Sequence, residues 1–463
     1  MNGILRSIKP TQLFVLSFVF VIFFGAFLLW LPISSASGKF TPFLDCLFTA
    51  TSASCVTGLT VVNTAAHWSA FGKIVVISMI QIGGLGFITL ITVIFLLAGK
   101  RITLKERVLI QETFNLSQTH GIVRFVKFLS LFTFTVELIG AIILTLRFIP
   151  DYGFPGAIPM GIFHSISAFC NAGFDIIGPS SISPYVDDPV INIVLMALVI
   201  TGGLGFPVWV ELIGLRKALK KSKETPSFRI AVKRLSVHTK IVVCTTFILI
   251  FSGAFLTFIL EYNNPLTLGE LSMQGKIFAS FFHSVVLRTA GFFSIDMAGL
   301  HHSTEFLSII LMMIGGSPCG TAGGMKTISV AVVLLAVISL VKDRDSIIAF
   351  KRSVSFNSLQ KALAVIILML TILMTATTLL SITEVNMAFD YEFIDLMFEV
   401  ASALGTVGNS IGITPYLTSI GKVIIMLCMF IGRLGPITIA IAFMSTNSDK
   451  NKIHYPTEDV MVG

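Results

Sequence analysis

The sequence predicts an all-α polytopic membrane protein, in which four pseudo-symmetric repeats of helix, pore helix, loop and helix surround one central pore. Three observations predict this fold. Charged residues make up only 12% of the 463 residues, and hydrophobic residues 54%, whereas a soluble domain carries about a quarter charged residues. A short motif recurs four times along the chain, and two long apolar stretches flank each copy.

The recurring motif joins a Phe to a Gly ten positions later. The intervals between successive glycines are 115, 118 and 117 residues, and such a period is the signature of an internally repeated fold. A second glycine cluster follows each copy, in QIGGLGF, TGGLGFP, MIGGSPCG and FIGRLGP. The four copies of the motif are LFTATSASCVTGL (47–59), IFHSISAFCNAGF (162–174), SFFHSVVLRTAGF (280–292) and MFEVASALGTVGN (397–409).

The flanking apolar stretches are long enough to cross a bilayer, because about 20 helical residues at roughly 1.5 Å each span its hydrocarbon core. Eight spanning helices are therefore predicted. The repeats are predicted over residues 1–121, 122–234, 235–356 and 357–463, the last with the cytoplasmic tail. The apolar stretches are residues 11–33 and 69–98, 125–149 and 190–215, 241–261 and 304–340, and 362–383 and 418–444.

Each motif lies on a segment of about ten residues, which is too short to span a membrane. This pattern is typical of a re-entrant half-helix followed by an extended loop, and irregular backbone at membrane depth requires burial in protein or a water-filled cavity. The alternative is an amphipathic connecting helix on the surface. A surface helix has no need of the same terminal glycine in all four repeats, so a pore is favoured.

The basic residues indicate the orientation. Of the 32 Lys and Arg residues, 24 lie at the N-terminus, in three inter-helix loops and in the C-terminal tail. The positive-inside rule places these segments, and both termini, in the cytoplasm of a protein of the cell membrane. Topology and contact with lipid explain this charge, so no nucleic-acid partner is predicted. The opposite side carries 14 of the 24 acids. This excess either attracts cations to a pore mouth or simply mirrors the topology.

The loops after the pore helices read CVTGL, CNAGF, RTAGF and GTVGN. Selectivity filters for K⁺ are rings of backbone carbonyls, and glycine adopts the unusual dihedral angles that such a loop needs. With one glycine in each loop, fewer ion sites are expected than in a TVGYG filter. The predicted filter residues are Val56, Thr57, Gly58, Asn171, Ala172, Gly173, Thr289, Ala290, Gly291, Thr406, Val407 and Gly408.

The stretch IGGSPCGTAGGMKT (314–327) interrupts the second apolar stretch of repeat three. A phosphate-binding loop requires adjacent Gly and Lys after a strand, but here Met325 intervenes and apolar helix flanks the loop. Close helix packing explains Gly315 and Gly316 alone. Residues 304–340 as one helix would measure about 55 Å, so a break is predicted here, and only in this repeat. The hypothesis is a flexible gate over residues 315–324, with Lys326 and Thr327 restarting the helix. The gate residues are Gly315, Gly316, Ser317, Gly320, Thr321, Gly323, Gly324, Lys326 and Arg433.

Arg433 lies within the apolar stretch of FIGRLGP, where the other repeats carry glycine. A charge at membrane depth costs about 2.5–3.5 kcal/mol on insertion scales and usually faces a pore or a partner. Arg433 is therefore predicted to act as an electrostatic barrier below the filter and to donate hydrogen bonds to loop carbonyls. The alternative is a side chain that snorkels to the interface.

Together these motifs resemble the membrane subunit of the Ktr/Trk/HKT superfamily of K⁺ transporters, of the bacterial Ktr type. The resemblance implies K⁺ uptake through a filter shaped by the four glycines and controlled by the gate loop. It also implies a homodimer with one pore per protomer on a cytosolic octameric ring of regulatory subunits that bind nucleotide (ATP or ADP). Na⁺ as an activator is implied by several relatives. The effects of Asn409 and Ser410, and the role of Lys326, stay open.

Two other classes of function compete with this one. A secondary transporter with alternating access commonly uses inverted repeats, and the parallel repeats here argue against it. A membrane enzyme would need a nucleophile with a base, a cofactor motif or a metal cluster, and the sequence contains none of these. The chain is therefore predicted to be no enzyme, and to hold no cofactor or metal ion besides the transported K⁺.

Overall fold

The computed structural model describes residues 10–86, 121–221, 233–385 and 390–443. Within these ranges the regular structure is helical, apart from one short β-hairpin. The predicted cytoplasmic location of both termini, much of the basic loops and the boundary after residue 121 depend on residues outside these ranges. The repeat boundaries therefore stay predictions, and the elements are grouped below by sequence repeat.

Repeat one contains a long helix, a pore helix and a second long helix. The pore helix begins directly after Pro42, which cannot donate a backbone hydrogen bond and so suits a helix start. Ser69 caps the last helix, since its Oγ accepts from the backbone N of Gly72 at 3.2 Å. The helices are α1 (Pro10–Trp30), α2 (Phe43–Cys55), the short α3 (Thr64–His67) and α4 (Ala70–Leu85).

Repeat two begins with a long helix that Gly153 divides. Its φ of 68° is left-handed, so the spanning part ends there and the pore helix follows on the same element. The carboxylate of Asp188 caps the next helix by accepting from the backbone N of Val190 at 2.9 Å and of Ile191 at 3.1 Å. The helices are α5 (Ile122–Phe169), α6 (Pro189–Gly203) and α7 (Phe206–Lys221).

Repeat three keeps this order, but an irregular loop divides its second long element. Ser236 and Ser272 cap the first two helices. The hairpin closes the repeat. The helices are α8 (Val237–Glu261), α9 (Met273–Val286), α10 (His302–Met313) and α11 (Thr327–Val341), and the antiparallel strands are β1 (Ile347–Ala349) and β2 (Arg352–Val354).

Repeat four again contains a long helix, a pore helix and a second long element. Glu392 and Asp395 form a capping box at the start of the pore helix, which satisfies backbone donors at that end. Thr418 caps the following helix. The helices are α12 (Phe356–Thr383), α13 (Phe393–Gly405), α14 (Ser419–Leu434) and α15 (Pro436–Phe443).

The second long element of a repeat stops or bends at its glycine cluster. The chain turns by 98° between α6 and α7 and by 93° between α14 and α15, and α4 ends at Gly86. Gly86, Gly205 and Gly435 have φ of 81°, 88° and 85°, a conformation that ends a helix and suits glycine. Two predictions were therefore wrong: residues 190–215 and 418–444 are not continuous helices, and repeat three is not the only broken one.

Four described helices are long and apolar enough to cross a membrane, or up to six if each bent pair counts as one span. Many of their large apolar side chains point outward. On α1, for example, Phe20, Phe23, Phe24 and Phe27 are each at least half exposed. Such a surface is suited to lipid rather than to water. The structure is therefore that of a multi-pass membrane protein.

Candidate functional site

The four loops after the pore helices share one backbone conformation. In each loop, the residue two positions before the glycine has a left-handed φ, and so has the glycine. The residue between them does not. This shared geometry follows from the repeated sequence, because glycine tolerates positive φ without a Cβ clash. The φ values are 57° and 102° for Val56 and Gly58, 60° and 68° for Asn171 and Gly173, 80° and 72° for Thr289 and Gly291, and 51° and 98° for Thr406 and Gly408.

The four glycines meet in a closed ring. A Cβ atom added to any one of them would lie against the backbone carbonyl oxygen of the residue that precedes the next glycine. These contacts lead from repeat one to repeat two, then to repeats three and four, and back to repeat one. The pairs of glycine and carbonyl are Gly58 with Ala172 (2.5 Å), Gly173 with Ala290 (2.6 Å), Gly291 with Val407 (2.6 Å) and Gly408 with Thr57.

This ring brings together eight of the twelve filter residues that the sequence predicts, namely the four glycines and the residue before each. Carbonyl oxygens and glycine Cα atoms of neighbouring loops lie against one another there, and a side chain at any of the four glycines would collide with backbone. Backbone carbonyls are the kind of hard, uncharged oxygen group that replaces the water around an alkali cation in a selectivity filter. The arrangement is chemically suited to passing a cation and offers no nucleophile.

Serines of the pore helices form hydrogen bonds to the backbone of three of the filter loops. Ser52 Oγ accepts from the backbone N of Gly58 at 3.1 Å, and Ser402 Oγ accepts from that of Gly408 at 3.0 Å. Ser167, at the same place in repeat two, donates to the carbonyl of Phe174 at 2.6 Å. Repeat three has Val285 at this position. Sequence reasoning missed these serines, although their constant distance of six residues before the glycine is a usable signal.

The loop between α10 and α11 is closed at its base. Met325 N donates to Met313 O at 3.2 Å, and Thr327 N donates to Gly316 O at 3.1 Å. The hydroxyls of Ser317 and Thr327 lie 3.1 Å apart. The predicted restart at Thr327 is where α11 begins. The predicted gate segment is therefore a loop with a hydrogen-bonded base.

Lys326 belongs to this loop as well as to the helix behind it. It is the residue before the first turn of α11, and its Nζ donates to the carbonyl of Ala322 at 2.7 Å. This bond of the half-buried ammonium group ties the last turn of the loop to the start of the helix.

Arg433 connects the loop to another repeat. Its guanidinium donates to the carbonyls of Thr321 in the loop and of Gly83 and Gly84 in the last turn of α4, the Gly84 bond being 3.2 Å long. Carbonyls at a helix C-terminus lack partners within the helix and attract a cation. The prediction that Arg433 donates to loop carbonyls agrees with this geometry, whereas its partners on α4 could not be predicted.

Two buried carboxylates, those of Glu137 and Glu399, accept hydrogen bonds from uncharged side chains. Glu137 on α5 accepts from Gln81 Nε2 on α4 at 3.1 and 3.2 Å, a pair that sequence reasoning did not identify. Glu399 accepts from the hydroxyls of Ser410 and Thr414, the latter at 2.9 Å. Ser410 therefore anchors the fourth loop to its own pore helix.

Asn409 contacts the neighbouring filter loop. Its Nδ2 donates to the carbonyl of Phe292, in the third loop, at 3.3 Å. Asn409 is almost fully buried. The residue after the fourth glycine therefore joins two loops to each other.

The chain matches known transport proteins over most of its length. The family model of TrkH, described as a cation transport protein, matches residues 4–453. The Ktr system potassium uptake protein B of Bacillus subtilis is 40% identical over 98% of this chain and 97% of its own. The potassium/sodium uptake protein NtpJ of Enterococcus hirae is 37% identical over 99% and 98%.

A solved structure confirms the fold. The potassium transporter TrkH from Vibrio parahaemolyticus superposes with a TM-score of 0.70, covers 93% of this chain and 85% of its own, and is 17% identical. The predictions of a helical transport protein rather than an enzyme, and of a likeness to the Ktr type, are confirmed by these matches. The chain belongs to the TrkH family of cation transport proteins.

Proposed function

We propose that the chain takes up K⁺ across the cell membrane through the ring of the four glycines. The closed order of glycines and carbonyls carries this proposal, because it forms an oxygen-lined constriction from all four repeats. The printed functions of the Bacillus subtilis and Enterococcus hirae relatives, potassium uptake and potassium/sodium uptake, support the choice of ion. The predicted filter residues, from Val56–Gly58 to Thr406–Gly408, supply the backbone of this path.

Ion flux in liposomes that contain this chain alone tests the proposal. We expect entry of ⁸⁶Rb⁺, a K⁺ tracer, that excess K⁺ suppresses more strongly than excess Na⁺. Liposomes without protein measure the leak. Equal suppression by both ions would contradict selective K⁺ uptake, and so would the absence of cation flux both from this chain and from a variant that lacks the proposed gate, residues 315–324.

The gate in this proposal is the loop of residues 315–324, because its base is hydrogen-bonded and its last residues pack against the end of the fourth pore helix and the filter loop that follows it. Gly323 lies against the side chain of Thr406, and Gly324 lies against Gly405, at the end of the fourth pore helix. Backbone at this position obstructs the path that leads from the ring toward the predicted cytoplasmic side. Lys326 and Arg433 hold the loop in place through Ala322 and Thr321.

Replacing Lys326 with Met is expected to raise K⁺ flux about fivefold, because the hydrogen bond of its half-buried ammonium group, which competes with water and so contributes only about 1 kcal/mol, no longer holds the loop. Deleting residues 315–324 is expected to raise the flux further. Tracer uptake at equal protein density measures both effects. The control is Lys342→Met at the far end of α11, where the side chain is exposed. Unchanged flux in both Lys326→Met and the deletion would exclude this loop as the gate.

A partner on the cytoplasmic side is also proposed. The resemblance implies a homodimer on an octameric ring that binds ATP or ADP, with Na⁺ as an activator. The hairpin of β1 and β2 supports a partner on this side, since Lys351 and Arg352 are exposed at its turn. Ala349 packs in one cluster with Ala331 of α11, and α11 begins at the gate loop. A force on the hairpin therefore reaches the gate loop through α11. Flux measured with the octameric regulatory partner present, in ATP and then in ADP, tests this coupling.

A further inference from the structure

The gate loop is bonded to the broken end of α6. Ser317 N donates to Gly203 O at 2.9 Å, and Thr321 N donates to Gly202 O at 3.2 Å. In return, Phe206 N donates to the carbonyl of Cys319 at 3.0 Å. The middle of the loop thus takes the place of the helical partners that these backbone groups lose at the bend.

One side chain of the loop reaches past α6 to the second filter loop. Thr321 Oγ1 donates to the carbonyl of Phe169, at the end of the pore helix, at 3.1 Å. The same hydroxyl lies 3.2 Å from the side-chain amide of Asn171. Thr321 and Asn171 are both buried, with at most 1% of their surface exposed.

The amide of Asn171 continues this chain of bonds to the third filter loop. In either rotation of the amide, one end lies 3.2 Å from Thr321 Oγ1 and the other 3.2 Å from Thr289 Oγ1. In the rotation that satisfies both ends of the amide, Nδ2 lies 3.2 Å from each of three acceptors, Thr321 Oγ1, Val199 O and Phe169 O, and Oδ1 accepts from Thr289 Oγ1. The hydroxyl of the gate loop, the amide and the hydroxyl of loop three therefore form one connected set.

Both filter residues in this set need support. Thr289 has a φ of 80° and Asn171 a φ of 60°. A left-handed conformation is tolerated by Asn but is strained for a β-branched residue, at a cost of about 1–3 kcal/mol, and it persists only where surrounding contacts hold it. The hydrogen bond between Thr289 and the amide of Asn171 is the one side-chain bond that the structure shows for Thr289 in the described residues. The residue after Thr289, Ala290, contributes its backbone carbonyl to the ring.

We propose that Asn171 is a positioning residue for ion selectivity, and that Thr321 makes the position of its amide depend on the gate loop. This inference rests on the proposed filter and gate. When the loop leaves its place, Asn171 loses its bond to Thr321 and Thr289 loses a fixed partner. The second and third filter loops, which supply Gly173 and Gly291 to the ring, then relax. Selectivity for K⁺ over Na⁺ therefore differs between the conformations with and without the Thr321–Asn171 bond, so the loop controls which ion passes as well as how much.

The experiment replaces Thr321 with Val, which keeps the branched shape and removes the hydroxyl. The matched control is Thr377→Val on α12, where the hydroxyl is also buried but donates to the carbonyl of Leu373 in its own helix at 2.8 Å. Liposomes with the full-length protein are loaded with tracer, and suppression of uptake by K⁺ and by Na⁺ is measured. We expect Thr321→Val to lower the K⁺-over-Na⁺ ratio about fivefold, and Thr377→Val to leave both the flux and the ratio unchanged. Thr321→Ser, which keeps the hydroxyl, is expected to restore the ratio.

A double-substitution cycle separates coupling from simple damage. Asn171→Ala is expected to lower the ratio alone, and Thr321→Val is expected to add little to it, because both remove the same bond. Multiplying effects in the double variant, or an unchanged ratio in Thr321→Val, would overturn the coupling. If the parent protein itself is selective for K⁺, either of these two results contradicts only the coupling and does not contradict the proposed filter. A parent without selectivity would instead contradict the filter itself. Elution as a monodisperse species, compared with Thr321→Ser, shows that a variant has folded.

Discussion

Gly291→Ser is expected to lower selectivity for K⁺ over Na⁺ at least about tenfold, which corresponds to about 1.4 kcal/mol of differential binding. A Cβ atom at this position would lie 2.6 Å from the carbonyl oxygen of Val407 and 2.9 Å from Gly173 Cα. Both neighbours are backbone, so neither can rotate away as a side chain can. The carbonyl of Val407 must move, and the ring loses the oxygen geometry that favours K⁺. Competition between K⁺ and Na⁺ for tracer uptake measures the loss.

The matched control for this substitution is Gly38→Ser. Gly38 has a φ of 69°, against 72° for Gly291, and nothing lies within 4 Å of a Cβ atom placed there. The two variants therefore share the cost of a left-handed serine but only one places an atom in the ring. Retained selectivity in Gly291→Ser, or an equal loss in Gly38→Ser, would show that the ring does not select the ion.

Arg433→Gln is expected to raise K⁺ flux about tenfold. The guanidinium joins the carbonyl of Thr321 in the loop to those of Gly83 and Gly84 at the end of α4. Hydrogen bonds to charged groups contribute about 1.5–3 kcal/mol, and the neutral, shorter side chain cannot span both partners. Tracer uptake by liposomes with equal protein content measures the change.

Two further variants identify what Arg433 contributes. Arg433→Lys keeps the charge but loses the planar fork that reaches several carbonyls at once. If the fork is what holds the loop, this variant also conducts more than the parent. If the charge alone bars the path, its flux stays low. Lys422→Gln, which removes a cation from the same helix at its bond to Asp45, is expected to leave flux unchanged. Equal flux in the parent and in Arg433→Gln would contradict both roles.

The sequence predicts the ring better than it predicts the helices that surround it. A glycine that recurs at a constant period predicts a backbone conformation that only glycine adopts easily, and Gly58, Gly173, Gly291 and Gly408 all have positive φ. The same reasoning failed at the second glycine clusters. There, Gly205 and Gly435 end a helix, but glycine also serves close packing of spanning helices, and composition alone does not distinguish the two uses.

Long-range polar contacts were the other part that could not be predicted. Arg433 was recognised as anomalous because a charge is costly in an apolar stretch, but its partners on α4 are about 350 positions away. The filter motif predicts Asn171 for its backbone carbonyl, whereas the structure shows that its amide links the gate loop to the third filter loop. Glu137 had no visible partner until α4 and α5 were seen to place Gln81 beside it. Such pairs depend on how helices pack, which a repeat period does not encode.

The covalent linkage of the four repeats has a consequence for how the protein can diverge. An assembly of four identical subunits copies every residue four times around its axis. Four copies of Arg433 would face one another across a narrow path and repel, and four gate loops would compete for the same space. On a single chain, each quarter accumulates its own substitutions. In the proposed mechanism, repeat three carries the gate loop, repeat four carries the Arg433 that holds it, and repeat two carries the end of α6 to which it is bonded, while the glycines stay alike in all four.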